Sequence, residues 1–149
     1  VTNLSQNFTL EQLTHSQTAV RLGIRNLPTP AHKERLKLLC EQILEPLHEY
    51  FPKLEISSGY RSRALNVAVG GSDNSQHSKA EAVDFSVQGL SPLFVCQQII
   101  RLKIVDFDQL IYEGTWVHIS RSENPRRQVL TAHFKKGQKP TYTQGLPKK

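Results

Sequence analysis

The chain has 149 residues, 38% hydrophobic and 21% charged, with a net charge of +6. That length suits one domain with its own hydrophobic core and is short for two. No apolar run is long enough to span a bilayer, Val1–Leu10 lacks the basic-then-apolar pattern of an export signal, and two cysteines do not make a disulfide framework or a thiolate zinc site.

Taken in chain order, Thr9 with Gln12 three residues on is a capping-box pattern and predicts a short helix. Leu22–Thr29 reads as a loop, broken by Gly23 and Pro28. Thr29-Pro30 starts the main helix, and Leu36, Leu39, Cys40, Ile43, Leu44 and Leu47 give it one apolar stripe. Pro46 falls inside that stripe and predicts a kink or break. A short strand is expected from Leu54, a helix over Ser62–Val69, and a second strand over Ala82–Val87. Ser91-Pro92 repeats the capping signal ahead of an amphipathic helix to Leu102. Strand-like runs follow at Gln109–Tyr112, Trp116–Ser120 and Gln128–Phe134. The order predicts a single-domain α+β fold, an antiparallel sheet packed against helices.

Cys40 and Cys96 lie in apolar helical segments, where buried free thiols are the simpler expectation and a disulfide between helices the alternative. The charge is uneven. Seven basic residues and no acid follow Asn124, so the first 123 residues are near neutral. A basic, loose tail is expected over about 135–149. It suits an anionic cell-wall polymer, or serves solubility alone. Zinc-finger spacing and aromatic-basic interleaving are lacking, so no nucleic-acid partner is expected.

Asp84 and His118 are polar residues inside strand-forming apolar runs. Side chains alternate faces along a strand. Val83 and Phe85 can therefore enter the core while Asp84 faces away, and His118 does the same between Val117 and Ile119. If the strands are neighbours, Asp84 and His118 converge, and a loop can bring in His77. Two histidines and a carboxylate are a frequent ligand set for catalytic zinc, with one position left to water. Taken alone, a histidine on a strand is more often a hydrogen-bonded structural residue and Asp84 could be a satisfied buried carboxylate, and His133 is held in reserve.

The segments Ser57-Ser58-Gly59-Tyr60-Arg61-Ser62, Leu65-Asn66, Val69-Gly70-Gly71, Ser75-Gln76-His77, Ala82-Val83-Asp84 and Trp116-Val117-His118 together resemble the zinc D-alanyl-D-alanine carboxypeptidase family, which includes vancomycin-resistance dipeptidases and phage endolysins. The likeness runs from about Phe8 to Ala132. It implies one Zn2+ held by His77, Asp84 and His118, and a peptidoglycan substrate cut as a carboxypeptidase or an endopeptidase. It implies that Arg61 binds substrate and steadies charge on the scissile carbonyl, and that Ser75, Gln76 and Trp116 line the substrate pocket. Action at the bacterial cell wall by a monomer is the corresponding expectation.

Two positions depart from the family pattern. Ala80 stands where a glycine is frequent, a mild change if the backbone there needs no positive φ. Thr115 stands where the catalytic acid is expected, three residues before His118. Glu113 is the nearest carboxylate, and Gly114 offers a turn to aim it at the site. Glu113 is therefore the expected general base and acid, with Asp106 and Asp108 as weaker candidates. The competing expectation is a catalytically impaired wall-binding or virion module of the same fold.

Overall fold

The structure, a computed structural model, describes residues 2–148. Short helices α1 (Leu10–Thr14) and α2 (Gln17–Leu22) open the chain, the first with the predicted capping box in place between Thr9 and Gln12. The main helix begins at Pro30 with Thr29 as its cap. It runs as α3 (Pro30–Leu39), a wide π-helical turn (Cys40–Leu44) and α4 (Glu45–Tyr50). Pro46 was expected to kink or break this helix; the helix is not ended there, but its regular α geometry is interrupted by the π turn just before the proline. A proline ring collides with the carbonyl four residues back in a regular helix. Here the Glu45 N–H reaches back five residues to Cys40, and the widened turn lets the helix continue through the proline. The stripe from Leu36 to Leu47 stays intact and is fully buried. Each such side chain contributes about 1.5–3 kcal/mol by leaving water.

Strands β1 (Leu54–Ser58), β2 (Ala82–Val87), β3 (Gln109–Tyr112), β4 (Val117–Ser120), β5 (Gln128–His133) and β6 (Thr141–Gln144) form one sheet in the order β1-β2-β4-β3-β5-β6. Helix α5 (Arg63–Ala68) follows β1. Helix α6 (Pro92–Leu102) buries Val95, Cys96 and Ile99 in the same core as the main helix. The α+β class read from the sequence is the architecture found. Cys40 and Cys96 are both buried and free, and burial pushes each thiol up to about 12. No helix among the described residues is long and apolar enough to cross a membrane.

Two features differ from expectation. The pairing is antiparallel except between β3 and β5, which run parallel. Residues 121–127 carry the chain across one end of β3 to its far edge, and only two strand widths have to be spanned. Arg127 holds that path through Asp106 at 2.7 Å, and Arg126 through Asp108. The second difference concerns the tail. Residues 141–144 form β6 against β5, where a loose segment was expected. The Gly145 N–H donates to Val129 O, its carbonyl accepts from Thr131 Oγ1, and Leu146 packs against the core. Every β6 side chain is exposed, so backbone pairing and this anchor, not an apolar face, hold the strand. His133 lies exposed on β5 and bonds Thr143, away from any metal-ligating group.

Candidate metal centre

The β2–β4 register sets Asp84 directly opposite His118, on the face that Val83, Phe85, Val117 and Ile119 do not occupy. His77 arrives from a turn between α5 and β2. Its Nε2 lies 3.2 Å from Asp84 Oδ1, and His118 Nδ1 lies 3.1 Å from the same oxygen. All three side chains are buried, and their ligating atoms lie within 4.8 Å of one another. Donors on a tetrahedral ion with bonds of about 2.0–2.1 Å sit roughly 3.3 Å apart, so the spacing fits a small dication. Burial alone would push the Asp84 carboxyl up. With the rings protonated, hydrogen bonding and charge from His118 and His77 outweigh burial and hold it well below the usual carboxylate range.

The outward nitrogens of both rings are engaged. His77 Nδ1 lies 2.8 Å from the Gly59 carbonyl. A carbonyl only accepts, so Nδ1 carries a proton, and in the neutral ring that metal binding requires Nε2 is bare toward the cluster. Gly59 entered the sequence reading only as part of the family-like segment, and this contact was not foreseen. A bulge in β1 opposite Asp84, at Ser57, turns the chain so that the Gly59 carbonyl meets the ring. Gly59 itself lies against the Leu13 carbonyl, with no room for a Cβ. Gly59→Ala is expected to cost about 1–3 kcal/mol, as forced overpacking does, and to weaken metal retention as the His77 contact shifts; denaturant melts and metal titration check both.

The turn that carries His77 is closed by Glu81 N–H to Gln76 O and by Ala80 at φ +60°. The glycine-to-alanine departure therefore falls on a left-handed residue, the condition under which it is not mild. The left-handed conformation costs an L-residue roughly 1–2 kcal/mol. Removing the buried methyl forfeits about 0.8 kcal/mol, and glycine adds freedom to the unfolded chain. Ala80→Gly is thus expected to stay within about 1 kcal/mol of the parent, while Ala80→Val, branched and left-handed in a closed space, is expected to lose more than about 2 kcal/mol in urea unfolding.

Glu113 opens the β3–β4 hairpin turn. Its N–H donates to Trp116 O, and Gly114 takes φ +85°. That turn places Thr115 in solvent and brings Glu113 Oε2 to 4.0 Å from His118 Nδ1. Burial raises the Glu113 carboxyl above its ordinary value, and the negative charge of Asp84 raises it further. Arg61 is half-buried within electrostatic reach of Asp84 and Glu113, and burial lowers its guanidinium somewhat. One Arg61 nitrogen donates to Asn66 Oδ1 at 3.3 Å. Arg61 Nε is a buried donor with no hydrogen-bond partner among the described residues, whereas the Trp116 side chain faces Glu113 and offsets part of the rise in its carboxyl.

The other expected residues are placed as follows. Ser75 Oγ accepts from the His77 N–H and so braces the turn. Gln76 has both ends of its amide engaged inside the protein, with His118 Nε2 and with Asp108. Trp116 packs its ring 6.0 Å from that of Phe134. Asp106 and Asp108 lie outside the cluster and pair with Arg127 and Arg126. Among curated proteins, none matches the sequence. The sequence model of the peptidase M15 family matches residues 6–120. That span holds Arg61, His77, Asp84, Glu113 and His118, and by this match over most of its length the chain belongs to the peptidase M15 family of metallopeptidases.

Proposed function

We propose that this protein is a zinc-dependent peptidase that hydrolyses peptide bonds in the stem peptides of bacterial peptidoglycan. The observation that carries the reading is the convergence of His77, Asp84 and His118 with a largely shielded carboxylate, Glu113, at 4.0 Å from His118. His77 Nε2, Asp84 Oδ1 and His118 Nδ1 would hold the ion. When bound, zinc supplies Lewis acidity that polarises the scissile carbonyl and makes water a nucleophile near neutral pH.

The protein's own groups account for the remaining steps. Glu113 takes a proton from the attacking water and returns it to the leaving amine. Its raised affinity for a proton suits both halves of that exchange. Arg61 steadies the charge that develops on the carbonyl oxygen, in a half-buried setting where such donors act more strongly than in water. The partnerless donor Arg61 Nε matches an acceptor-rich substrate such as a peptide with carbonyl and carboxylate oxygens. Arg61 also opens onto a cleft of about 640 Å³ lined by His15, Ser16, Ile56, Ser58 and Tyr60. None of His77, Asp84, Glu113 or His118 lines that cleft, so the choice between an endopeptidase and a carboxypeptidase rests on the products of digestion. Lys135, Lys136 and Lys139, exposed between β5 and β6, supply a positive rim for an anionic wall polymer.

The impaired-module alternative draws its support from Thr115. The hairpin weakens that support, because Glu113 lies inward where the missing acid is needed. Digestion of purified peptidoglycan with and without chelator, with products identified by mass, tests the proposal. Chelator-sensitive release of peptide products is expected, with larger stem fragments marking an endopeptidase. Free D-alanine alone would instead mark a carboxypeptidase, and one bound zinc without any cleavage would establish the binding module.

A further inference from the structure

We propose that Asp108 selects the tautomer of His118 through Gln76, and thereby sets how tightly the His77–Asp84–His118 cluster holds its metal ion. The inference rests on the metallopeptidase reading for its consequence, but its geometry is independent of any substrate. Gln76, Asp108 and Arg126 act here as positioning residues.

The chain of contacts is continuous. Gln76 Oε1 lies 3.1 Å from His118 Nε2, and Gln76 Nε2 donates to Asp108 Oδ2 at 3.0 Å. Asp108 accepts three further bonds from Arg126. The backbone N–H and Nε reach Oδ1 at 3.1 and 3.0 Å, and a terminal nitrogen reaches Oδ2 at 2.7 Å. Backbone bonds fix Asp108 at the mouth of β3, from its N–H to Ser120 O and to its carbonyl from Gln128 N–H. The Asp108 side chain is 5% exposed while that of Arg126 is 56% exposed. A surface arginine therefore supports a buried carboxylate that supports the amide.

Each link allows one orientation of the next. Hydrogen bonding from Arg126 holds the Asp108 carboxyl below its ordinary value, so it is ionised and only accepts. The Gln76 NH2 must then face Asp108, which leaves the Gln76 carbonyl oxygen facing His118. That oxygen also only accepts, so His118 Nε2 must carry the ring proton. A neutral imidazole has one N–H, and Nδ1 is left bare toward the cluster. A bare nitrogen 3.1 Å from Asp84 Oδ1 is unfavourable until a cation lies between them. The network thus prepares His118 as a ligand before the metal arrives. His77 is prepared directly by the Gly59 carbonyl, whereas the His118 device depends on the charge of Asp108, one intervening residue away by contact. Arg126 lies beyond the family-matched residues 6–120, so this chain's C-terminal segment reaches the metal centre through it.

The test measures the zinc dissociation constant of the folded protein by competition with a chromophoric chelator, for the parent, Asp108→Asn and Gln76→Met. Asparagine at 108 can donate to the Gln76 oxygen, so the amide turns and presents NH2 to His118. Methionine at 76 removes the acceptor. Both variants are expected to hold zinc about 10–100-fold more weakly, the usual scale for losing a ligand's outer partner. A purely structural role would lower the melting temperature and leave the constant of the folded protein unchanged. Weakening of less than fivefold in both variants overturns the proposal. If Asp108→Asn does not fold, Gln76→Met decides alone by the same threshold. A parent protein that takes up no zinc would sink the metallopeptidase reading instead. The nitrogen-15 shifts of His118 in metal-free protein near pH 8 would then decide this one. A ring protonated at Nε2 in the parent and at Nδ1 in Asp108→Asn supports it, and the same tautomer in both overturns it.

Discussion

Asp84→Ala is expected to abolish hydrolysis and to lower zinc affinity by roughly three orders of magnitude, because the one anionic donor of a three-residue ligand set is gone. Asp84 Oδ1 is the atom both histidines approach, at 3.2 and 3.1 Å. Without it the two imidazoles face each other, their ring centroids 5.2 Å apart, with no charge to balance a dication. The loss has a second readout that needs no substrate. A ligand that binds only the folded state stabilises it by about 2.7 kcal/mol at a hundred times its dissociation constant. For a chain of this length that is on the order of 5–10 °C in melting temperature. Chelator is therefore expected to lower the melting temperature of the parent by that amount and to leave Asp84→Ala unmoved. Equal chelator sensitivity in the two proteins would place the metal elsewhere.

Glu113→Gln is expected to keep zinc within a few-fold of the parent and to lose about 10²–10⁴ in kcat, the usual contribution of a positioned acid–base group. Glutamine matches the size of glutamate and keeps the hairpin contacts, so folding is preserved while the proton acceptor is removed. Glu113 is 12% exposed in its side chain and 4.0 Å from His118 Nδ1, beside the cluster. Thr115→Glu in the Glu113→Gln background is expected to restore nothing, because position 115 lies exposed on the outside of the turn. Measuring peptide release and zinc content for the two variants separates the possibilities. Recovery of activity by Thr115→Glu would show that the hairpin rearranges on substrate binding and that the proton is carried from position 115.

Most elements were legible because their signals are local. Thr9 with Gln12, Thr29-Pro30 and Ser91-Pro92 mark helix starts through bonds that span three residues, and each cap forms as written. The polar residues inside Val83-Asp84-Phe85 and Val117-His118-Ile119 announced a polar face for the same reason, since alternation is a property of a single strand. What a local pattern does not carry is where two distant segments meet. The parallel β3–β5 pairing brings Arg126 and Arg127 to Asp108 and Asp106 across the end of β3, contacts that no local pattern announces. Strand β6 has no apolar face to betray it, and only its pairing with β5 and the Leu146 anchor make it a strand.

The same division holds at the site. The amino-acid sequence by itself determined the donor types, two histidines and a carboxylate, and the family-like spacing that pointed to His77, Asp84, His118 and Arg61. Only the tertiary structure decided which atoms face inward. A histidine's ligating nitrogen is chosen by whatever bonds its other nitrogen, and here the partners are the Gly59 carbonyl, 18 residues from His77, and the Gln76 amide, 42 residues from His118. It also decided that Glu113 and not Thr115 turns inward, since the Gly114 turn directs the two side chains differently. Chemistry of residue type is written in the chain; orientation depends on groups that folding alone brings within hydrogen-bond reach.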